Sequence, residues 1–557
     1  MIRRLVKLAL ATLLAANLAA CATLPTLNSN QLGPEVQQGG SNENLYYSPS
    51  GPLENASQEQ IISGFFYAGN GPQDDYSVAR EFLTPNFASK WKPANETLIQ
   101  SGNTRVVSNT GTRVQIQIPY DARITSDGTY KSTPGSTQII DVRLLQVSGQ
   151  WRISSAPNLT ILLRPNFNLL FEPVSIYFWD TSLSYLVPEI RWFPTKAALA
   201  TRVTNALLKG PSSWLAPSVQ NMIPEGTKLN INSVTVTQGA ATVDLSAKAL
   251  EIPESRRPFL KSQLIATLGG IDGISDVIIS IQRTRQDIAT GASGMPSTPS
   301  TLPIVLTKDS LIRFVGSSAL EISVANDLVS DVQAKGFALS SDESLLALLG
   351  PKGVFAYSLG LIGVKGKLID SRVGLINPTI DPFDRIWTTT SARGSELYIS
   401  SVGGTKTNLA APMGGLVSIK AMALSSEGSR LAILHSEFSG SFASIVSVIR
   451  DENQQVIGFG EPLAVDGFDS TSQSISWSDR VSLVGLRSDS DGYQSVFTAS
   501  VGGIVTVGRG TIRGIQVVSS PGGSYHYLSD SGEFFSAQNF SWTSTLENAV
   551  SLRMAGQ

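Results

Sequence analysis

Apolar and polar positions change their spacing several times along the chain. After Leu53 they follow a helical period: Ser57 with Gln60 three residues on marks a helix start, and Ile61, Ile62, Phe65 and Phe66 then share one face. A second helix carries Val78, Ala79, Phe82 and Leu83. Alternation then takes over in "TRVVSN", "TRVQIQIPYDARI" and "QIIDVRLLQVSGQWRIS", the last a hairpin turning at Gly149. Helices ahead of a strand meander predict a small α+β domain over residues 53–165.

From Val174 the order becomes strand, helix, hairpin, helix, strand, which predicts a second α+β domain over residues 170–288. "VSIYFWD" and "EIRWFP" read as strands. Thr195 is positioned to cap a helix of Ala198, Leu199, Val203, Ala206, Leu207 and Leu208, which Gly210-Pro211 ends. "INSVTVTQGAATVDLS" is a hairpin turning at Gln238-Gly239, and a helix with Phe259, Leu260, Leu264 and Leu268 leads into "SDVIISIQ". The first domain is similar in pattern to nuclear-transport-factor-like domains. The second, with "LLKGPSSWL", "IPEGTKL" and "GAATVDLS" in order, resembles the GerMN domain of spore-germination and envelope lipoproteins.

Residues 289–302, containing "TGASGMPSTPST", read as a linker. Beyond it the chain repeats. "FALSSDESLLALL" matches "MALSSEGSRLAIL", with looser copies in "TIDPFDRIWTT", "SISWSDRVSLVGL" and "IQVVSSPGGSYHYL". Their spacing of about 40 to 50 residues is the blade period of a β-propeller, predicted over residues 303–557 with five or six blades. "SLIRFVGSSALEIS" either adds a blade or completes the last one. The fold class is therefore multi-domain and mainly β, and a unit beginning at Thr301 is expected to fold alone.

At the other end, Arg3, Arg4 and Lys7 precede an apolar run from Leu8 to Leu14 and the small residues Ala19 and Ala20. This is a signal peptide over residues 1–20, its apolar core too short to span a bilayer. Leu18-Ala19-Ala20-Cys21 resembles the bacterial lipobox, which implies lipidation of Cys21 and anchoring on the outer face of a membrane. Residues 21–52 then form a polar, flexible tether.

Composition narrows the chemistry. The 557 residues carry a formal net charge of −2, with 41% hydrophobic and 15% charged residues. No basic face is evident in the sequence, which argues against nucleic acid or an anionic lipid surface as partner. Cys21 is the sole cysteine and His435 and His526 are the only histidines, so neither a disulfide nor a Cys/His metal site is expected. There is no G-x-S-x-G, and the two histidines meet only if both point into the propeller channel. Ser89-x-x-Lys92 has the spacing of penicillin-interacting enzymes but lacks their companion motifs, and "LGPKGVF" is not a phosphate loop. Asp342, Glu427 and Asp479 sit in repeat turns, where polar residues are favoured for turn geometry alone. Phe178 and Trp179 suit glycan stacking only if exposed, and "NLLFEPVSIYFW" reads equally as buried strand. No enzyme, cofactor or metal is predicted.

The order of lipobox, small α+β domain, GerMN-like domain and propeller, with "RISSAPNLTILLRPNFNLLFEPVSIYFWDTSLSYLVPEIRWFP" joining the first two folded domains, resembles the actinobacterial LpqB family. The resemblance implies a lipoprotein on the extracytoplasmic face of the cell membrane. It implies as partner the ectodomain of the sensor histidine kinase of the Mtr two-component system, with effects on cell-wall homeostasis and division. The alternative is a binder of an envelope glycan or lipid, using the GerMN-like cleft or the propeller channel.

Overall fold

A computed structural model describes residues 49–557, except 196–197, 290–301, 361–364, 393, 395, 414–416, 439, 521 and 539–540. Cys21, the tether and nearly all of the linker therefore lie outside the described residues. Among those described, no helix is long and apolar enough to cross a membrane.

Helix Gln58–Ala68 begins as its sequence predicts: the Ser57 hydroxyl accepts from the Gln60 backbone N–H, and the Gln60 side chain accepts from that of Ser57. Its buried face, Ile61, Ile62, Phe65 and Ala68, packs on the inward positions of a six-stranded sheet. Strand Arg113–Thr125 alternates buried and part-exposed residues, as one covered face requires. It pairs antiparallel with Tyr130–Val147 and Glu96–Gln100. One departure from a meander is the parallel pairing of Glu96–Gln100 with Thr160–Leu163.

Helix Arg164–Leu170 leads into the hairpin of Phe171–Asp180 and Leu186–Pro194. Every residue of the second strand is buried, because different neighbours cover its two faces. The GerMN-like domain continues with helices Leu199–Lys209 and Arg257–Leu268 and a sheet in which Ala240–Leu245 and Asp276–Ile281 run parallel. Thr195 does not cap the first of these helices. The N-cap is Ala198, and the Thr195 hydroxyl donates instead to the Leu170 carbonyl.

Six antiparallel sheets follow among the described residues. Their innermost strands are Gly336–Leu339, Thr379–Ile380, Ser418–Leu424, Ile475–Trp477, Gly514–Ser520 and Ser551–Met554. Each touches the next, and the last touches the first, so they form a closed ring. The closure is made by Ser551–Met554, which pairs with Pro303–Leu306. The two strands of "SLIRFVGSSALEIS" supply the outer part of that sheet, whose inner strand comes from the other end of the propeller. Sheet-against-sheet packing explains strands such as Leu345–Gly350, buried at every position.

The propeller is not set apart from what precedes it. Residues 49–557 form one compact unit, and one apolar core runs from Phe178, Trp179 and Leu215 into Ala432, Ile445 and Trp477. The turn at Ala216–Ser218 lies on strand Gly440–Arg450, where the Ser447 hydroxyl donates to the Trp214 carbonyl at 2.7 Å. A Cβ on Gly460 would come 2.7 Å from that carbonyl, so only glycine allows the approach. Whether a unit beginning at Thr301 folds alone therefore turns on how it tolerates exposure of this shared core.

Candidate functional site

A cleft of about 820 Å³ opens where the three domains meet. The first domain contributes the turn Thr125–Tyr130, the GerMN-like domain Glu189 and Pro211–Trp214, and the propeller Glu461–Asp466 and Ser500–Gly503. A neighbouring hollow of about 520 Å³ shares Tyr130, Ser132, Pro134 and Asp466 and adds Arg164.

The wall of the cleft is organised by Arg191, whose side chain is 1% exposed. One end of its guanidinium donates to Asp127 Oδ2 at 2.7 Å, and the other to Glu189 Oε2 at 2.9 Å and to the Ser212 hydroxyl at 3.1 Å. Glu189 Oε2 also accepts the Ser212 backbone N–H at 3.1 Å. Burial raises the Asp127 pKa, but the Thr125 hydroxyl, the Arg191 charge and the Thr129 N–H outweigh it and bring it down to about 2. The adjoining Gly128 presses on the Leu186–Pro194 strand: its carbonyl accepts the Trp192 N–H at 2.7 Å. With φ at +84° and Phe193 ring atoms 2.9 Å from a built Cβ, the position excludes any side chain.

Two further groups tie the strand to the propeller. The Trp192 indole donates to the Gly502 carbonyl at 3.1 Å. Arg430, 1% exposed, pairs with buried Glu427 at 2.7 Å, lies over Trp477, and donates to the Pro188 carbonyl at 3.3 Å and the Arg480 carbonyl at 2.7 Å. The cleft is thus a junction in which Arg191 and Arg430 each pair with a carboxylate, although Arg191 Nε and Glu427 Oε2 are buried without a hydrogen-bond partner, while Lys131 and Glu461 stand exposed at its rim.

The residues singled out in the sequence occupy other places. Asp342 Oδ1 accepts from the Ser340 hydroxyl and from the Ser344 N–H and hydroxyl, and Asp479 Oδ1 accepts the Val481 N–H. Glu427 accepts the Ser425 hydroxyl beside its Arg430 contact. All three shape their turns, and among the described residues no group of three or more His, Cys, Asp or Glu is placed to hold a metal ion. Ser89 closes a short helix by donating to the Asn86 carbonyl. Phe178 and Trp179 are fully buried, and the Trp179 indole donates to the Phe259 carbonyl, so neither offers a stacking platform. His435 and His526 lie in different sheets, each bonded to a serine of the adjacent strand, Ser444 at 3.0 Å and Ser536 at 2.9 Å.

His526 makes a pH-dependent contribution. Burial lowers its pKa from 6.5 to about 4, so the unfolded chain binds the proton more readily than the folded one. Stability is therefore expected to fall as pH drops from about 6.5 toward 4, and His526→Gln should flatten that part of the profile. Urea unfolding of both proteins across this range checks it, and parallel profiles would reject the assignment.

Sequence reasoning missed Asp127, Glu189, Arg191 and Ser212. The one local signal was the pair Glu189-x-Arg191, two charges on the same face of a strand otherwise apolar.

Three family models match consecutive parts of the chain: "Lipoprotein LpqB, N-terminal domain" at residues 51–168, "Sporulation and spore germination" at 175–286, and "Lipoprotein LpqB beta-propeller domain" at 310–551. Among curated proteins, Lipoprotein LpqB of Bifidobacterium longum is 28% identical over 75% of this chain and 74% of its own length. That of Cutibacterium acnes is 27% identical over 54% of this chain, which spans 53% of that relative. A solved structure, the first GerMN domain of the sporulation protein GerM from Bacillus subtilis, is 19% identical with a TM-score of 0.19, covering 22% of this chain and 92% of that one. With its domains matched in order from residue 51 to residue 551, the chain belongs to the LpqB lipoprotein family.

Proposed function

We propose that this lipoprotein is held at the extracytoplasmic face of the cell membrane through lipidated Cys21 and binds the ectodomain of the Mtr sensor histidine kinase, adjusting its signalling and through it cell-wall homeostasis and division. It acts by binding and not by catalysis. The observation that supports a presenting role is the junction itself: buried contacts among Asp127, Arg191, Trp192, Gly502 and Arg430 join three domains into one body. A rigid body offers a preformed surface and loses little conformational freedom on binding. The identity of the kinase rests on family resemblance.

Anchoring raises the effective concentration of such an encounter. Cys21→Ser is expected to abolish fatty-acid labelling and release the protein or leave it with an uncleaved signal peptide; label persisting in the variant would reject Cys21 as the anchor. Affinity purification of the lipidated protein from detergent-solubilised membranes should recover the kinase. Its absence would favour a second reading supported by the 820 Å³ cleft, in which an envelope glycan or lipid binds beside Trp214 and Ser212.

A further inference from the structure

The net charge of −2 conceals a local segregation that only strand register makes visible. On the first domain's sheet, the face opposite the helices carries the outward positions of four strands. Arg105, Gln117 and Ile139 lie side by side across three of them, Arg113 stands opposite Arg143, and Leu145 opposite Arg152. Four arginines thus share a face with one carboxylate among these outward positions, Asp141, which pairs with Arg113. Between them Ile139 and Leu145 are 60% and 53% exposed, with Val147 beyond. Exposed aliphatic side chains among arginines that outnumber the carboxylate beside them suit an interface that is apolar inside and anionic at its surface.

The path of the chain indicates which anionic surface. Asn55 and Gln150 exchange two hydrogen bonds, and the Gln58 side chain donates to the Gly111 carbonyl. The first folded residues are therefore fixed to the two hairpin tips at the Arg113, Arg143 and Arg152 end of this face, and Leu53, 69% exposed, precedes them. The described chain begins at Pro49, a few residues before that edge. Twenty-seven residues, 22–48, separate Cys21 from this edge, and each can extend at most about 3.3 to 3.6 Å.

From this juxtaposition we infer that the outer sheet face of the first domain docks on an anionic phospholipid surface, with Arg105, Arg113, Arg143 and Arg152 at the headgroups and Ile139, Leu145 and Val147 at the acyl boundary. The inference runs against the expectation that an anionic lipid surface is not a partner. The docking would fix the orientation of the whole 49–557 body above the membrane.

The mature chain beginning at Ala22 carries no lipid and keeps every described residue, so its sedimentation with vesicles tests the face independently of Cys21 and of the kinase. It should partition onto phosphatidylglycerol–phosphatidylcholine vesicles far more than onto phosphatidylcholine alone, and high salt should remove the difference. Arg113→Gln, Arg143→Gln and Arg152→Gln together should weaken partitioning on the order of 100-fold, roughly fivefold per arginine. Ile139→Ser with Leu145→Ser should weaken it on both vesicle types, and circular dichroism should show all variants folded. Should the triple variant unfold, Arg143→Gln alone, at an exposed position, must still give its fivefold loss. Equal partitioning onto the two vesicle types, wild-type partitioning of the arginine variants, or binding to an acidic protein surface without vesicle binding would each overturn the inference.

Discussion

Trp192→Ala is expected to cost about 3 to 5 kcal/mol and to separate the unfolding of domains that otherwise melt together. The indole is 4% exposed and lies in a cluster fed by all three domains. Its ring centroid is 5.0 Å from that of Phe167 and 6.1 Å from that of Tyr130, its N–H is held by the Gly502 carbonyl, and Val481 and Ile504 of the propeller close the cluster. Truncation leaves a cavity at a place where the three domains meet, so the loss falls on their coupling as well as on local packing. Differential scanning calorimetry of the mature chain would show one transition becoming two or more. A single transition shifted by only a degree or two would mean that the domains are joined elsewhere.

Arg191→Met should be as damaging for a different reason. Removing the guanidinium leaves Glu189, 6% exposed, as an unpaired buried carboxylate, and breaking a buried pair from one side costs about 3 to 5 kcal/mol. Asp127, 28% exposed, can recover water, so most of the loss traces to Glu189. Arg191→Lys should rescue little, since one ammonium cannot reach Asp127, Glu189 and Ser212 as the planar fork does. Adding Glu189→Leu to Arg191→Met should recover much of the stability, because the orphan charge is then gone. Chemical denaturation of the single and double variants measures this coupling, and additive losses would contradict it.

The parts of this fold that were legible in the sequence are those set by local rules. The Ser57 to Gln60 capping box, the alternation of "TRVQIQIPYDARI", and the turn at Gln238-Gly239, both with positive φ, depend on residues a few places apart. Closure of the propeller depended on Ser551–Met554 finding Pro303–Leu306, and no local pattern records such a partner. Thr195 had the chemistry of an N-cap and lost the role to tertiary context, its hydroxyl committed to Leu170. The cleft was invisible because Asp127, Arg191, Ser212 and Gly502 come from separate segments. The basic face escaped notice likewise: Arg105, Arg113, Arg143 and Arg152 are dispersed in sequence, and only strand register assembles them.

The proposed regulation of a sensor kinase by an anchored, rigid lipoprotein is tested most directly by the phosphorylation of the Mtr response regulator in living cells. It should be compared among the wild type, Cys21→Ser and a complete deletion of the gene. The account predicts altered phosphorylation in the deletion and a similar defect in Cys21→Ser, whose folded domains are intact but no longer held by the acyl anchor. Phosphorylation unchanged in the complete deletion would contradict it.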